Sequence, residues 1–221
     1  PKQDGVYPVV IFNRGGNRTL SSLTVGSLLM FTSHLAAQGY VIIGSNYRKQ
    51  DEFGGAEIND VLNLTETVKE LEKADPKRIG MFGWSRGGMM TYLSLKNSDE
   101  IKTAVVGNGA TDLFNTAEFR PKMETFVFAE CIPNYWQNRE VELRKRSALY
   151  WPYELNKQSS LLILSATEDK RVNPEQAERL AEKLTEINYN FELKKYKTDH
   201  FFSGHKDTLN KVLIEWFNTH L

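Results

Sequence analysis

The chain has 221 residues, room for one compact domain with a sizeable core. Hydrophobic residues make up 40% and charged residues 25%, and Lys plus Arg matches Asp plus Glu at 28 each, so the formal net charge is zero. That balance excludes a broad electrostatic attraction to nucleic acid or acidic membranes; no apolar run approaches the ~18–20 residues of a membrane span, and the single cysteine, Cys131, cannot form an internal disulfide.

The chain opens on Pro1-Lys2-Gln3-Asp4-Gly5, with no initiator Met and no signal peptide. It is expected to be trimmed or processed, which leaves the compartment open between the cytoplasm and export with the targeting segment removed. Val6–Asn13 is a short apolar run rich in β-branched residues and predicts a strand. It turns at Arg14-Gly15-Gly16-Asn17. Leu28–Gln38 has a helical pattern that stops at Gly39, and Tyr40–Asn46 reads as a buried strand. Ile58–Lys73 carries a helical stripe through Ile58, Val61, Leu62, Leu64, Val68 and Leu71, and Asp75-Pro76 ends it. Arg78–Phe82 is a strand, Met89–Lys96 a helix and Thr103–Gly107 another strand.

From Thr111 to about Tyr153 the rhythm breaks. The stretch is aromatic, charged and mostly helix-like, with Pro121, Pro133 and Pro152 as punctuation. It is expected to be a cap-like insertion within a single domain, with Phe114, Phe119, Phe126, Phe128, Tyr135 and Trp136 shaping a pocket or completing the core. Then come a strand at Leu161–Ser165, a helix at Pro174–Ile187, a strand at Asn190–Tyr196 and a helix at Asp207–His220. Strands that alternate with helices imply an α/β fold, a mostly parallel sheet covered on both faces.

Between the strand Arg78–Phe82 and its helix lies Gly83-Trp84-Ser85-Arg86-Gly87, a G-x-S-x-G match. The strand–turn–helix setting is what a nucleophile elbow of an α/β-hydrolase demands, because a serine on so tight a turn needs neighbours without side-chain bulk. The bland alternative is an ordinary turn with a helix-capping serine. A serine of ordinary pKa needs a base, and the base needs an orienting acid. In this fold the acid and then the histidine follow the serine. The loop after Leu161–Ser165 offers Asp169, with Glu168 as its neighbouring alternative. The loop after the next strand offers His200, with His205 as the alternative expected to start the last helix. His34 precedes the serine and His220 sits at the chain end, so both are read as structural or solvent-facing. No cluster of further ligands accompanies these residues, so neither a metal nor another cofactor is expected. An oxyanion hole is expected from the Arg86 backbone N–H together with the loop Arg14-Gly15-Gly16, with Trp84 beside the substrate.

GWSRGG, LLILS followed by ATEDKRV, and DHFFSGH together resemble the catalytic domain of the prolyl oligopeptidase family, from about Val6 to the C-terminus. The family's acid motif approximates Gly-x-x-Asp-x-x-Val, and here Ala166 stands in place of Gly. Its histidine is usually followed by Gly, where here Phe201 follows. The resemblance implies a serine peptidase working through an acyl-enzyme on small-molecule or short-peptide substrates, without the propeller domain of the larger members. A carboxylesterase on the same fold, or a catalytically idle binding protein, are the alternatives.

Overall fold

The computed structural model describes residues 4–221. Pro1, Lys2 and Gln3, on which the expectation of a trimmed start rests, lie outside the described residues. Six strands alternate with helices: β1 (Tyr7–Asn13), α1 (Val25–Ala37), β2 (Val41–Ile43), α2 (Ile58–Glu70), β3 (Ala74–Trp84), α3 (Arg86–Asn97) and β4 (Ile101–Gly107). After a helical segment come β5 (Ser160–Ala166), α8 (Glu175–Glu186), β6 (Phe191–Tyr196) and α9 (Lys206–His220). All five strand pairings are parallel, in the order β2-β1-β3-β4-β5-β6.

Side chains alternate across each strand, so one apolar run feeds two cores. Val9 and Ile11 of β1, Ala104 and Val106 of β4, and Leu161 and Ile163 of β5 pack into the core under α2, α3 and α8. Val10, Phe12, Val105, Leu162 and Leu164 point the other way, to Leu35 of α1 and Leu213 and Phe217 of α9. This two-sided burial is why these strands read as continuous apolar runs.

Two boundaries differ from the sequence reading for local reasons. Helix α1 begins at Val25 because Thr24 caps it, its side chain accepting the Ser27 N–H at 3.1 Å. Strand β3 extends back through Asp75-Pro76, pairing Ala74 with Tyr7 across a register shift. A proline is tolerated at such an irregular strand start.

The segment between β4 and β5 is helical: α4 (Leu113–Phe119), α5 (Pro121–Met123), a π-helical turn (Glu124–Phe128), α6 (Ala129–Cys131) and α7 (Tyr135–Lys145), then two short 3₁₀ turns. Its aromatics divide between core and surface. Phe128 and Tyr135 belong to the main core, whereas Phe126 and Trp136 are exposed, at 57% and 63%. Phe128 is fully buried, with its ring centroid 5.1 Å from Phe53 and 6.4 Å from Tyr135. Phe128→Ala is therefore expected to cost about 3–5 kcal/mol, read as a shifted denaturation midpoint. Trp136→Ala is expected to change stability by no more than about 0.5 kcal/mol, and an equal loss in both variants would contradict this packing.

His34 of α1 carries a buried Nε2 without a hydrogen-bond partner among the described residues. Burial, with Lys206 nearby, pushes its imidazole down to about 4. The folded value lies below the unfolded one, so between pH 4 and 6.5 the unfolded chain binds a proton that the native state refuses. Stability contributed at this site is complete above the unfolded pKa and declines as pH falls through that window. Denaturation midpoints at pH 7 and pH 5 should show this loss, and His34→Leu should flatten the slope.

Candidate active site

The cluster of interest forms beyond the C-terminal ends of β3, β5 and β6. Ser85 sits between β3 and α3 at φ 58°, ψ −121°, a backbone conformation that a side-chain-bearing residue adopts only under external constraint. The constraint is visible at the flanking glycines. A Cβ on Gly83 would stand 2.1 Å from the Gly87 carbonyl oxygen, and one on Gly87 would stand 1.9 Å from that of Asn13. Only glycine at both positions lets α3 close onto β3 and the end of β1, and that closure forces the turn at Ser85. The Ser85 N–H is tied to the Gly107 carbonyl of β4 at 2.8 Å. The Ser85 hydroxyl makes no hydrogen bond among the described residues, and such bonds commonly tighten only in the substrate complex.

Asp169 and Glu168 take different paths. Asp169 is buried; its Oδ1 accepts the N–H groups of Arg171 at 2.7 Å and Val172 at 3.0 Å, and its Oδ2 meets His200 Nδ1 at 2.6 Å. Glu168 is exposed. His200 is itself buried, and its carbonyl accepts two hydrogen bonds at 3.0 Å, from Trp84 Nε1 and from Asn108 Nδ2. His205 stands at the N-terminus of α9, its Nδ1 3.1 Å from the Ser203 carbonyl. His220 stacks on Trp216 in α9, and His34 lies in α1.

Trp84 is a correction to the sequence reading. It is buried, its ring lies against Phe202 and over Gly107, and its indole N–H holds the histidine loop. It does not line the cavity at Ser85. Asn108 was missed, although an asparagine between two glycines beyond a strand end suits its left-handed φ of 46°.

The loop Arg14-Gly15-Gly16 passes directly over the elbow. A Cβ on Gly15 would lie 3.4 Å from Ser85 Cβ and 3.1 Å from the Trp84 carbonyl oxygen. Gly16, at φ 73°, could not carry a Cβ without reaching 2.3 Å from the Leu20 carbonyl oxygen. The Gly15 and Gly16 amides are not spent on hydrogen bonds among the described residues. Arg86 is the first residue of α3, so its N–H has no acceptor within the helix. These amides thus remain available as donors near Ser85. The Arg14 side chain is buried and bonds the carbonyls of Gly15, Arg18, Leu20 and Asn46, which fixes the loop's shape.

The Arg86 side chain reaches the other way. It bonds both Asp51 oxygens, at 2.6 and 2.7 Å, as well as Glu57, and donates to the Gly16 carbonyl at 3.1 Å. All three charged side chains are at most 5% exposed. Burial disfavours the Asp51 carboxylate, but Arg86 and the N–H groups of Arg18 and Phe53 together hold its pKa below the ordinary value. Ser85 opens into a cavity of about 130 Å³, otherwise mostly apolar, to which the helical segment contributes Leu113, Thr116, Arg120 and Met123. Among the described residues no group of His, Cys, Asp and Glu could hold a metal ion, and no helix is long and apolar enough to cross a membrane.

The sequence model of the prolyl oligopeptidase family matches residues 32–221. The uncharacterised peptidase YtmA of Bacillus subtilis is 24% identical over 98% of this chain and 85% of its own length. A second peptidase of the same organism, YuxL, is 27% identical over 97% of the chain, which spans only 35% of it. Among solved structures, the acylaminoacyl peptidase of Pyrococcus horikoshii superposes with a TM-score of 0.83 at 23% identity, covering 100% of this chain and 38% of its own. A puromycin-hydrolysing peptidase of Mycobacterium tuberculosis gives 0.82 at 21% identity, with 99% and 35% covered.

Proposed function

From the premise that this chain belongs to the prolyl oligopeptidase family, with its α/β-hydrolase fold, we propose that it is a serine peptidase acting on short peptides through Ser85, His200 and Asp169. The observation that carries the assignment of roles is the 2.6 Å contact between His200 Nδ1 and the buried Asp169 carboxylate, beside a serine on a strained elbow.

In this reading His200 takes the Ser85 hydroxyl proton as the oxygen attacks the acyl carbon, then gives it to the leaving group. Asp169 fixes the imidazole tautomer and stabilises the imidazolium. Its own geometry is held by two backbone N–H groups, so the acid does not drift as charge develops. The N–H groups of Arg86 and of Gly15 or Gly16 receive the oxyanion, each such donor being worth about 10²–10³ in rate. Water repeats the sequence on the acyl-enzyme and releases the acid.

The histidine variants test the assignment. His200→Ala is expected to abolish labelling of Ser85 by a fluorophosphonate and to lower turnover by about 10⁴-fold or more. His205→Ala is expected to keep both, because its side chain is hydrogen-bonded to the Ser203 carbonyl just before α9 and not to Asp169. The reverse pattern would reassign the base. Aminoacyl p-nitroanilides and p-nitrophenyl esters run side by side decide between peptidase and esterase; turnover of esters alone overturns the peptide assignment.

A further inference from the structure

The cavity at Ser85 is charged in a way that hydrolysis itself does not require. None of the residues that line it is an aspartate or glutamate, whereas Arg86, Arg120 and Arg171 all do. Arg86 is neutralised by Asp51 and Glu57. Arg120 and Arg171 have no ion-pair partner among the described residues. Arg120 Nη1 donates only to the Arg171 carbonyl, at 3.3 Å, and the Arg171 guanidinium lies over the Phe201 ring at 4.8 Å. Burial and the neighbouring Arg171 cation hold the Arg120 guanidinium below its usual value, while Asp169 pulls the other way. Asp169 is no counter-ion in waiting: its oxygens are occupied by two N–H groups and His200. Two cations beside the reacting serine, Arg120 half-buried and Arg171 exposed, thus stand without an ion-pair partner among the described residues, and a guanidinium is built to take a carboxylate in a bidentate grip.

The side of the scissile bond follows from the lining. The leaving group must lie against His200, which protonates it, and His200 does not border this cavity. The cavity therefore holds the acyl portion. Leu113, Met123 and Val172 supply an apolar wall next to the two arginines.

Building on the hydrolase reading, we infer that the preferred substrates are acidic: peptides whose acyl portion carries a carboxylate close to the scissile bond, gripped by Arg120 with Arg171 behind it. Arg120 comes from the segment between β4 and β5 and Arg171 from the loop after β5, so specificity is assembled from two elements that also border the catalytic residues.

The test is a matched pair, succinyl-Phe p-nitroanilide and succinamoyl-Phe p-nitroanilide, which differ by a carboxylate against a carboxamide of the same shape. In the wild-type protein the ratio of kcat/KM is expected to favour the succinyl compound by about tenfold or more, the scale of one charge-assisted contact. In Arg120→Gln the ratio is expected to fall to about one, and in Arg120→Lys to an intermediate value. Each ratio is taken within one preparation, so a loss of folded protein cancels. A ratio near one in the wild type overturns the inference. So does a ratio that survives in Arg120→Gln while both substrates slow by the same factor, which would make the arginine a reader of neutral carbonyls. Fluorophosphonate labelling and turnover of the succinamoyl compound report on the hydrolase reading alone. If both are present without a charge preference, only the inference falls; if both are absent, the reading falls and the inference with it.

Discussion

Ser85→Ala is expected to lower turnover by about 10⁴-fold or more, with melting behaviour close to that of the parent. The two effects separate for a structural reason. The Ser85 hydroxyl makes no hydrogen bond among the described residues, so its removal orphans no buried partner. The turn is enforced from outside, by the close approach of Gly83 to Gly87 and of Gly87 to Asn13, and alanine inherits it unchanged. The rate, by contrast, loses the covalent route and retains only what oxyanion donors and binding supply. Activity of the purified variant above about a tenth of the parent's, a barrier change of only ~1.4 kcal/mol, would mean that another group performs the attack.

Arg86→Met is expected to be the most damaging substitution for stability near the site, at about 3–5 kcal/mol, the usual cost of removing one partner from a buried ion pair. Arg86 is flanked by two carboxylates, Asp51 and Glu57, neither more than 5% exposed. Taking away the cation leaves both inside. The pH response identifies the cause. In the parent, Asp51 has a folded pKa below its unfolded one, so its contribution is full above the unfolded value and is lost as pH falls through the folded value. In Arg86→Met the sign inverts: burial without the cation raises the Asp51 value, and mild acidification should then stabilise the variant relative to neutral pH. Chemical denaturation at pH 7 and pH 5 checks this, and adding Asp51→Asn with Glu57→Gln should recover part of the loss. If the single variant loses less than about 1 kcal/mol, Arg86 does not hold these acids in solution.

Much of the fold was legible because its signals are local. The run Val9–Phe12 is apolar on both faces, as only a doubly covered strand can be, and glycines at 83, 87 and 88 announce a strand–helix closure before any contact is known. The order serine, acid, histidine followed from the topology, and the two histidines of one loop separate cleanly: His200 lies under Trp84 and Asn108, and His205 starts α9. What stayed hidden is non-local. Asp51 and Glu57 look like any loop acids, and their burial depends on an arginine 35 and 29 residues away. Arg120 is one cation among 28 until α4 sets it beside Arg171. The aromatics between β4 and β5 mislead for the same reason. Sequence gives their apolar character but not the helical phase that turns Phe128 inward and Phe126 outward.

The histidine loop is fastened by its backbone: Trp84 and Asn108 both grip the carbonyl of residue 200, and Trp84 lies 116 residues earlier in the chain. This makes the site a late product of synthesis. A chain emerging from the ribosome carries the elbow long before β6 and α9 exist to bring the base, and a parallel sheet that needs a crossover for every pairing closes slowly. Until the last helix docks, the serine is an ordinary alcohol. On the proposed assignment the nascent chain lacks its base until then, and the first appearance of probe labelling during refolding is expected to mark the docking of β6 and the loop that follows it.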